Sequence, residues 1–330
     1  MAMTYELPII RPPSEAYSLL LVVMRGCSWN NCTFCDVYKG MKFDKRSIRP
    51  VDEVKGDIDA MRAIADGKID DVFIVHEGVK YPLGIFDLPL LLDGYPKTAF
   101  LADSNPIIHK SDDLAEIVNY LFQVFPSIQR VTSYGRAKTV VTKQPEELRR
   151  LREAGLSRLH LGLETGDGEL LKHIRKGATA EEMIEAGKRT KEAGFELSEY
   201  VMPGLGGRAM MKQHARNTAR VLNEINPNFV RMRSYIPRPK TPLYEEYIRG
   251  EFQLTSPHER LREIRIMVED LNITGRVCFD HTSNLSCFRQ DGNGYKFPEE
   301  KEQVLAIIDS ALKINESNFL HAEDLIRSSL

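Results

Sequence analysis

Arg25-Gly26-Cys27-Ser28-Trp29-Asn30-Asn31-Cys32-Thr33-Phe34-Cys35 holds three of the chain's five cysteines within nine residues. It follows directly on the apolar run Leu19-Leu20-Leu21-Val22-Val23-Met24, which predicts a strand delivering the chain into a loop. Three thiols this close along one loop point to a shared ligand, because chance rarely crowds so scarce a residue. A structural zinc site needs four protein ligands, and the next histidine after the loop is His76, with no fourth cysteine nearby. An iron–sulfur cluster is normally held by four thiolates, so three leave one iron without a protein ligand. An open iron can bind a second molecule, which suits chemistry better than structure. The cluster reading is preferred over zinc and over three unligated thiols.

Cys-x4-Cys-x2-Cys after a first strand, with the aromatic Phe34 before the last cysteine, resembles the radical S-adenosylmethionine (SAM) superfamily. The usual spacing there is Cys-x3-Cys-x2-Cys, so this chain carries one extra residue between Cys27 and Cys32. The resemblance implies that Cys27, Cys32 and Cys35 hold a [4Fe–4S] cluster whose fourth iron is chelated by the methionyl amine and carboxylate of SAM. It also implies an incomplete (βα)6 barrel of the TIM type, with functional groups at the carboxyl ends of its strands.

Length and composition agree with such an enzyme. At 330 residues the chain exceeds the usual single-domain size, yet α/β barrels reach this length as one unit. A hydrophobic fraction of 42% is ample for a core, and a net charge of −2 offers no general attraction to nucleic acid or an anionic membrane. Met1–Glu6 lacks the basic start and apolar segment of a signal peptide. The apolar run 19–24 is far too short to cross a bilayer. Clustered thiols need a reducing compartment to stay ligands, so the expected location is cytoplasmic.

The remaining chain divides into an amino-terminal arm at 1–17, a core barrel at 18–240 and a mainly helical carboxyl-terminal extension at 241–330. Arg11-Pro12-Pro13 predicts extended chain in the arm. Lys39, Lys42, Lys45, Arg46 and Arg49 form a basic segment after the cysteine loop. It reads as a solvated loop, with contact to an anionic substrate or an electron donor as the alternative. Two stretches compete for the second barrel strand, Asp71–His76 and Phe100–Ala102. The superfamily places a short polar motif after strand two, and Ala102-Asp103-Ser104-Asn105-Pro106 resembles it better than His76-Glu77-Gly78. Residues 68–97 then form an insertion that would shape a substrate pocket.

Beyond that point the alternation is regular. A helix at 111–124 with Ser111 as cap buries Leu114, Ile117, Val118 and Leu121. Helices ending in Glu153-Ala154-Gly155 and Glu192-Ala193-Gly194 place glycine where a left-handed cap is wanted. Thr179-Ala180-Glu181-Glu182 is a capping box. Six strands result, starting near 18, 98, 130, 158, 196 and 229. Ser256-Pro257-His258-Glu259 opens a further helix, residues 275–297 read as irregular, and a last helix runs from about 298 to 313.

Gly162-Leu163-Glu164-Thr165-Gly166 ends the fourth strand and resembles the Gly-Leu-Glu-Ser-Gly phrase of the Elongator-3 and oxygen-independent coproporphyrinogen oxidase-like branch. That resemblance assigns Glu164 to SAM, and Lys176, twelve residues on with Arg175 beside it, to the methionyl carboxylate. A plain cation pair at a helix end is the alternative. By the same resemblance Asp103 accepts from the methionyl amine, and Phe34, Ser104, Ser133, Tyr134, Tyr200 and Met202 line the SAM pocket. Gly204 and Gly206 let backbone approach the adenosyl moiety, a simple strand-to-helix turn being the alternative. Arg231 and Arg233 alternate along the sixth strand, so both should share one face, where substrate anions or internal carboxylates would pair them. Cys278 and His281 are candidate substrate-side groups. Cys278 and Cys287 otherwise read as buried structural thiols.

The function this implies is reductive cleavage of SAM to a 5′-deoxyadenosyl radical, which takes hydrogen from a small or medium organic substrate. A flavodoxin or ferredoxin would supply the electron. The alternatives are radical modification of tRNA through the basic segment, and an electron-transfer protein without substrate turnover.

Overall fold

The computed structural model describes residues 3–6, 8–44, 47–68, 72–76, 79–82 and 96–327. The chain forms two compact units. The first takes in Met1–Asn30, Gly40–His160 and Arg189–Glu196, and the second Asn31–Lys39, Leu161–Lys188 and Leu197–Leu330.

In the first unit, β1 (Met3–Glu6) and β2 (Leu19–Val22) go to different sheets. β1 runs parallel to β3 (Val72–His76), which turns back antiparallel into β4 (Val79–Pro82). The extended arm and part of the insertion therefore make a small sheet of their own. β2 is buried along its whole length, as its unbroken apolar run predicts for a strand covered on both faces. Its parallel neighbour is β5 (Thr98–Ala102), with Leu19 opposite Ala99 and Val22 opposite Ala102, and β6 (Arg130–Gly135) follows. The strand at 98, and not the one at 72, is thus the second strand of the main sheet. Glu77 and Gly78 of the competing stretch lie outside the described residues.

β7 (Leu156–Glu164) contributes Leu156–His160 to the first unit and Leu161–Glu164 to the second. β8 (Glu196–Val201) and β9 (Phe229–Met232) pair in parallel within the second unit. The main sheet continues through β10 (Arg276–Cys278), parallel to β9, and β11 (Tyr295–Lys296), antiparallel to β10, giving the order β11-β10-β9-β8-β7-β6-β5-β2. The chain is α/β, and its six expected strands are all present. Residues 275–297 are not irregular throughout, as the sequence suggested. Strands of three and two residues are too short to show a period, and pairing specifies them instead, β10 to the edge of β9 and β11 to β10.

The helical signals are local and hold. Thr179 and Glu182 exchange hydrogen bonds at 3.0 and 3.2 Å, Ser256 and Glu259 close the second capping box, and Gly155 and Gly194 take φ of +109° and +87°. Ser111 is different. It is the first residue of the helix Ser111–Val124, whose cap position is Lys110. The Ser111 hydroxyl instead accepts from Lys143 Nζ at 3.0 Å.

Under the first unit's sheet lies a buried ionic group. Glu15 is fully buried, accepts from Ser18 Oγ at 2.5 Å and Arg130 Nη2 at 3.0 Å, and lies 3.5 Å from His160 Nε2. Burial pushes its carboxyl up, but the hydrogen bond and charge of His160, with Ser18 and Arg130, outweigh burial and hold it down at about 2. A carboxylate whose folded value lies below its unfolded one contributes stability above the ordinary value of 4.5, lost as pH falls through about 2. Glu15→Gln should therefore lower unfolding free energy at neutral pH by about 3 kcal/mol. It should also flatten the acid limb of the stability curve. Urea unfolding of both proteins across that limb tests this, and parallel curves would refute it.

Candidate active site

The first half of the cysteine loop belongs to the first unit. Gly26 and Asn30 turn the chain with φ of +75° and +50°, and the Asn30 N–H lies 3.4 Å from Cys27 Sγ. The polar stretch after β5 braces this half. Ser104 Oγ donates to Gly26 O at 2.8 Å. Asn105, fully buried, donates to Ser28 Oγ at 3.1 Å and Thr139 Oγ1 at 2.9 Å, and accepts from the Arg136 N–H at 2.9 Å. Arg136 also sets its guanidinium 5.2 Å from the Trp29 ring centroid. Ser104 is thus placed as a brace of the loop, and Asn105, which the sequence reading left without a role, is its main anchor. Asp103 is buried and accepts from the Ile10 N–H at 3.5 Å.

On β6, the buried Ser133 donates to Tyr134 O at 2.8 Å, which occupies its hydroxyl locally. Tyr134 is half-buried, edge-on to Phe100 at 5.0 Å. The basic segment is not uniform. Lys39 and Lys42 are exposed, whereas Arg49 is buried and donates to Val22 O and Asp57 at 2.6 Å, with Glu53 at 2.8 Å. Lys45 and Arg46 lie outside the described residues.

The second half of the loop belongs to the second unit and is pinned there by its own backbone. The Thr33 N–H donates to Ile174 O at 2.9 Å, and Thr33 O accepts from the Leu243 N–H at 3.0 Å. Phe34 packs on a buried cluster that includes Leu170, Ile174, Met202, Leu205 and Leu243. Met202 is therefore core beneath Phe34. Cys32 and Cys35 flank this pinned segment, and the Cys35 N–H points to Cys32 O at 3.5 Å.

At the carboxyl end of β7 the geometry is tighter. Lys176 Nζ donates to Glu164 Oε1 at 2.8 Å, both side chains being about five-sixths buried at 16% and 13% exposure. Gly162 makes the room. A β-carbon there would stand 2.3 Å from Glu164 Oε1 and 2.8 Å from Lys176 Nζ. Glu164 itself sits at φ +60°, and the turn that returns Lys176 uses Arg175 at +50° and Gly177 at +75°. Arg175 is exposed, and the hydrogen bond to Glu164 comes from Lys176.

Glu199 on β8 joins this pair electrostatically. It is 2% exposed, and among the described residues its Oε2 has no hydrogen-bond partner. Burial pushes its carboxyl well above the ordinary range, against the charge of Lys176 and reinforced by that of Glu164. Sequence reasoning missed it. The available signal was a carboxylate between Leu197 and Val201, at a strand position that calls for an apolar residue. Its neighbour Tyr200 is half-buried. Gly204 takes φ +88°, and Gly206 leads into the helix Gly207–Ile225.

The two arginines of the last predicted strand separate. β9 ends at Met232, where Asn284 Nδ2 donates to Met232 O at 2.7 Å and Asn284 Oδ1 accepts from the Ser234 N–H at 3.1 Å. Arg231 is buried and paired with Asp280, with Ser198 Oγ at 3.2 Å, while Arg233 lies beyond the strand and is exposed. The expectation of one shared face fails because the strand stops one residue before Arg233. Burial pushes the Cys278 thiol up to about 11, so it is a neutral packing group at physiological pH. Burial and the charge of Arg233 bring His281 down to about 4, leaving a neutral imidazole.

The donor set of the loop fits a three-ligand cluster. None of the five cysteines forms a disulfide, and Cys27, Cys32 and Cys35 are all half-buried. Among the described residues no three of His, Cys, Asp and Glu converge as ligands of a single ion would. A cluster sets each thiolate on a different iron, so its ligands need no such convergence. Among the described residues no helix is long and apolar enough to cross a membrane.

The family model of the radical SAM superfamily matches residues 21–214, more than half of the chain. Over 181 residues the chain is 24% identical to the heme chaperone HemW of Bacillus subtilis, covering 54% of this chain and 47% of that protein. Over 114 residues it is 28% identical to the tRNA uridine(34) acetyltransferase of Methanocaldococcus jannaschii, covering 33% of this chain and 20% of that one. The chain thus spans less than half the length of these relatives. Coproporphyrinogen III oxidase (HemN) from Escherichia coli shares the fold, with a TM-score of 0.51 at 16% identity over 78% of this chain and 53% of that chain.

Proposed function

The chain belongs to the radical SAM superfamily, which uses a [4Fe–4S] cluster and S-adenosylmethionine, and from that premise we propose that it is an enzyme abstracting hydrogen from a small or medium organic substrate. The observation that carries this is the Glu164–Lys176 pair, 2.8 Å apart at the end of β7. An electron carrier has no use for a carboxylate and an ammonium set against each other over a glycine. When bound and reduced, the cofactors supply a 5′-deoxyadenosyl radical by cleavage of the sulfonium C–S bond.

The chain's own residues bind and orient. Cys27, Cys32 and Cys35 would hold the cluster, with the Asn30 N–H set against the Cys27 sulfur. Lys176 offers an ammonium to the methionyl carboxylate, and Glu164 offers a carboxylate to the ribose hydroxyls. Their mutual hydrogen bond holds both in place beforehand, which lowers the ordering cost of binding. Asp280 already neutralises Arg231, so an anionic substrate would have to rely on the exposed Arg233. A flavodoxin or ferredoxin would supply the electron.

A second reading, radical modification of tRNA, draws on the match to the archaeal tRNA-modifying relative and on the exposed Lys39 and Lys42. Both readings are tested without knowing the substrate. The cluster-loaded protein, reduced with dithionite and given SAM, should release 5′-deoxyadenosine, and the Cys32→Ala protein should not. A cluster-loaded protein that neither binds nor cleaves SAM would leave electron transfer standing. Gel-shift titration with bulk tRNA separates the two enzyme readings, and binding that disappears on changing Lys39 and Lys42 would favour the second.

A further inference from the structure

Two buried titratable groups in the second unit take no part in the site as described so far. His214 and Glu263 are both fully buried. Glu263, on the helix Pro257–Asp270, uses both carboxylate oxygens: Oε2 accepts from the Gly204 N–H at 2.7 Å, and Oε1 lies 2.7 Å from His214 Nδ1. His214, on the helix Gly207–Ile225, turns its other ring nitrogen, Nε2, to the carbonyl oxygen of Glu164 at 3.4 Å. Arg260, one turn before Glu263 and 1% exposed, adds its positive charge beside the carboxylate. The chain of contacts runs Gly204–Glu263–His214–Glu164, so residues far apart in sequence meet in one line.

Both ends of this chain are backbone groups in the left-handed region, Glu164 at φ +60° and Gly204 at +88°. A non-glycine residue there is held by its surroundings and not by its own preference. Burying a carboxylate and an imidazole is a costly way to join two helices, because apolar side chains would join them as firmly. What the polar pair adds is direction: it specifies where one carbonyl oxygen and one amide N–H must point.

We propose that Glu263 and His214 are positioning residues for SAM, a buried relay that fixes the Glu164 turn and the Gly204 turn relative to one another. Neither touches the ligand. They act through Glu164, whose side chain meets Lys176, and through the Gly204–Gly206 turn assigned to the adenosyl moiety. The inference rests on the SAM-site reading above.

The test compares Glu263→Gln, His214→Gln, their double variant and Glu164→Ala in the full-length, cluster-loaded protein. Iron content and circular dichroism report the cluster and the fold, and anaerobic equilibrium dialysis reports SAM affinity. Each single variant should retain iron and secondary structure while its Kd for SAM rises at least tenfold. The double variant should be little worse than either single one, because members of one relay are not additive. If Glu263→Gln does not fold, Glu263→Asp keeps the charge but is one methylene too short to reach both partners, and should show the same loss. SAM affinity within twofold of wild type in the single variants, with Glu164→Ala weakened, would overturn the relay and leave the site reading intact. Normal affinity in Glu164→Ala as well would overturn both. Losses that simply add in the double variant would mark two independent packing defects and also overturn the relay.

Discussion

Anaerobic reconstitution should load about four irons per chain, and replacing Cys27, Cys32 and Cys35 together with alanine should abolish that loading. Each single alanine variant should lose most of it, because two thiolates anchor only two of the cluster's irons. Cys278→Ala and Cys287→Ala serve as internal controls. Burial pushes both of those thiols up to about 11, so neither offers a thiolate at neutral pH, and both variants should keep wild-type iron. Iron analysis and the visible absorbance of the cluster provide the readout. Zinc in freshly isolated anaerobic protein, with no iron taken up on reconstitution, would defeat the cluster assignment.

The second large effect is expected at Lys176. Lys176→Ala should weaken SAM binding by about 1.5–3 kcal/mol, the scale of a hydrogen bond to a charged group, or about 10- to 150-fold in Kd. The pair is mostly shielded from solvent, with Lys176 at 16% and Glu164 at 13% exposure, so screening should take little from this effect. Removing the ammonium also withdraws the positive charge of Lys176 that acts on Glu199. The variant should therefore bind SAM more weakly as pH rises, since two carboxylates would then share a buried region. Iron content should not change, because neither residue is a cluster ligand. Asp103→Ala tests the partner assignment for the methionyl amine. Anaerobic calorimetry that finds wild-type affinity in both the Lys176 and Asp103 variants would remove both from the site.

The features readable from the residues alone lie within a few positions of each signal. The spacing of Cys27, Cys32 and Cys35, the capping boxes at Thr179 and Ser256, and the left-handed glycines at 155 and 194 are all contained within one turn of chain. The twelve-residue offset from Glu164 to Lys176 was noticed only through the family resemblance, and in the fold one short helix and its turn return Lys176 to Glu164. Of the six main strands, β2 was legible as an unbroken buried apolar run, and the later ones by their regular alternation with capped helices.

Contacts between residues distant in sequence settle the rest. Arg231 finds Asp280 across 49 residues, and Ser234 finds Asn284 across 50. Those contacts set where β9 stops and which arginine stays outside. β10 pairs with the edge that β9 offers, and β11 in turn pairs with β10. β1 pairs with β3 across the first barrel strand in sequence. Glu199 draws no notice in the sequence until the fold buries it beside Lys176, nor do Glu263 and His214 until two helices bring them to 2.7 Å. The reason is physical. Caps, turns and apolar periodicity are settled by the chain's own torsions and nearest neighbours, whereas the state of a buried charge depends on desolvation and on partners that only the folded chain can supply.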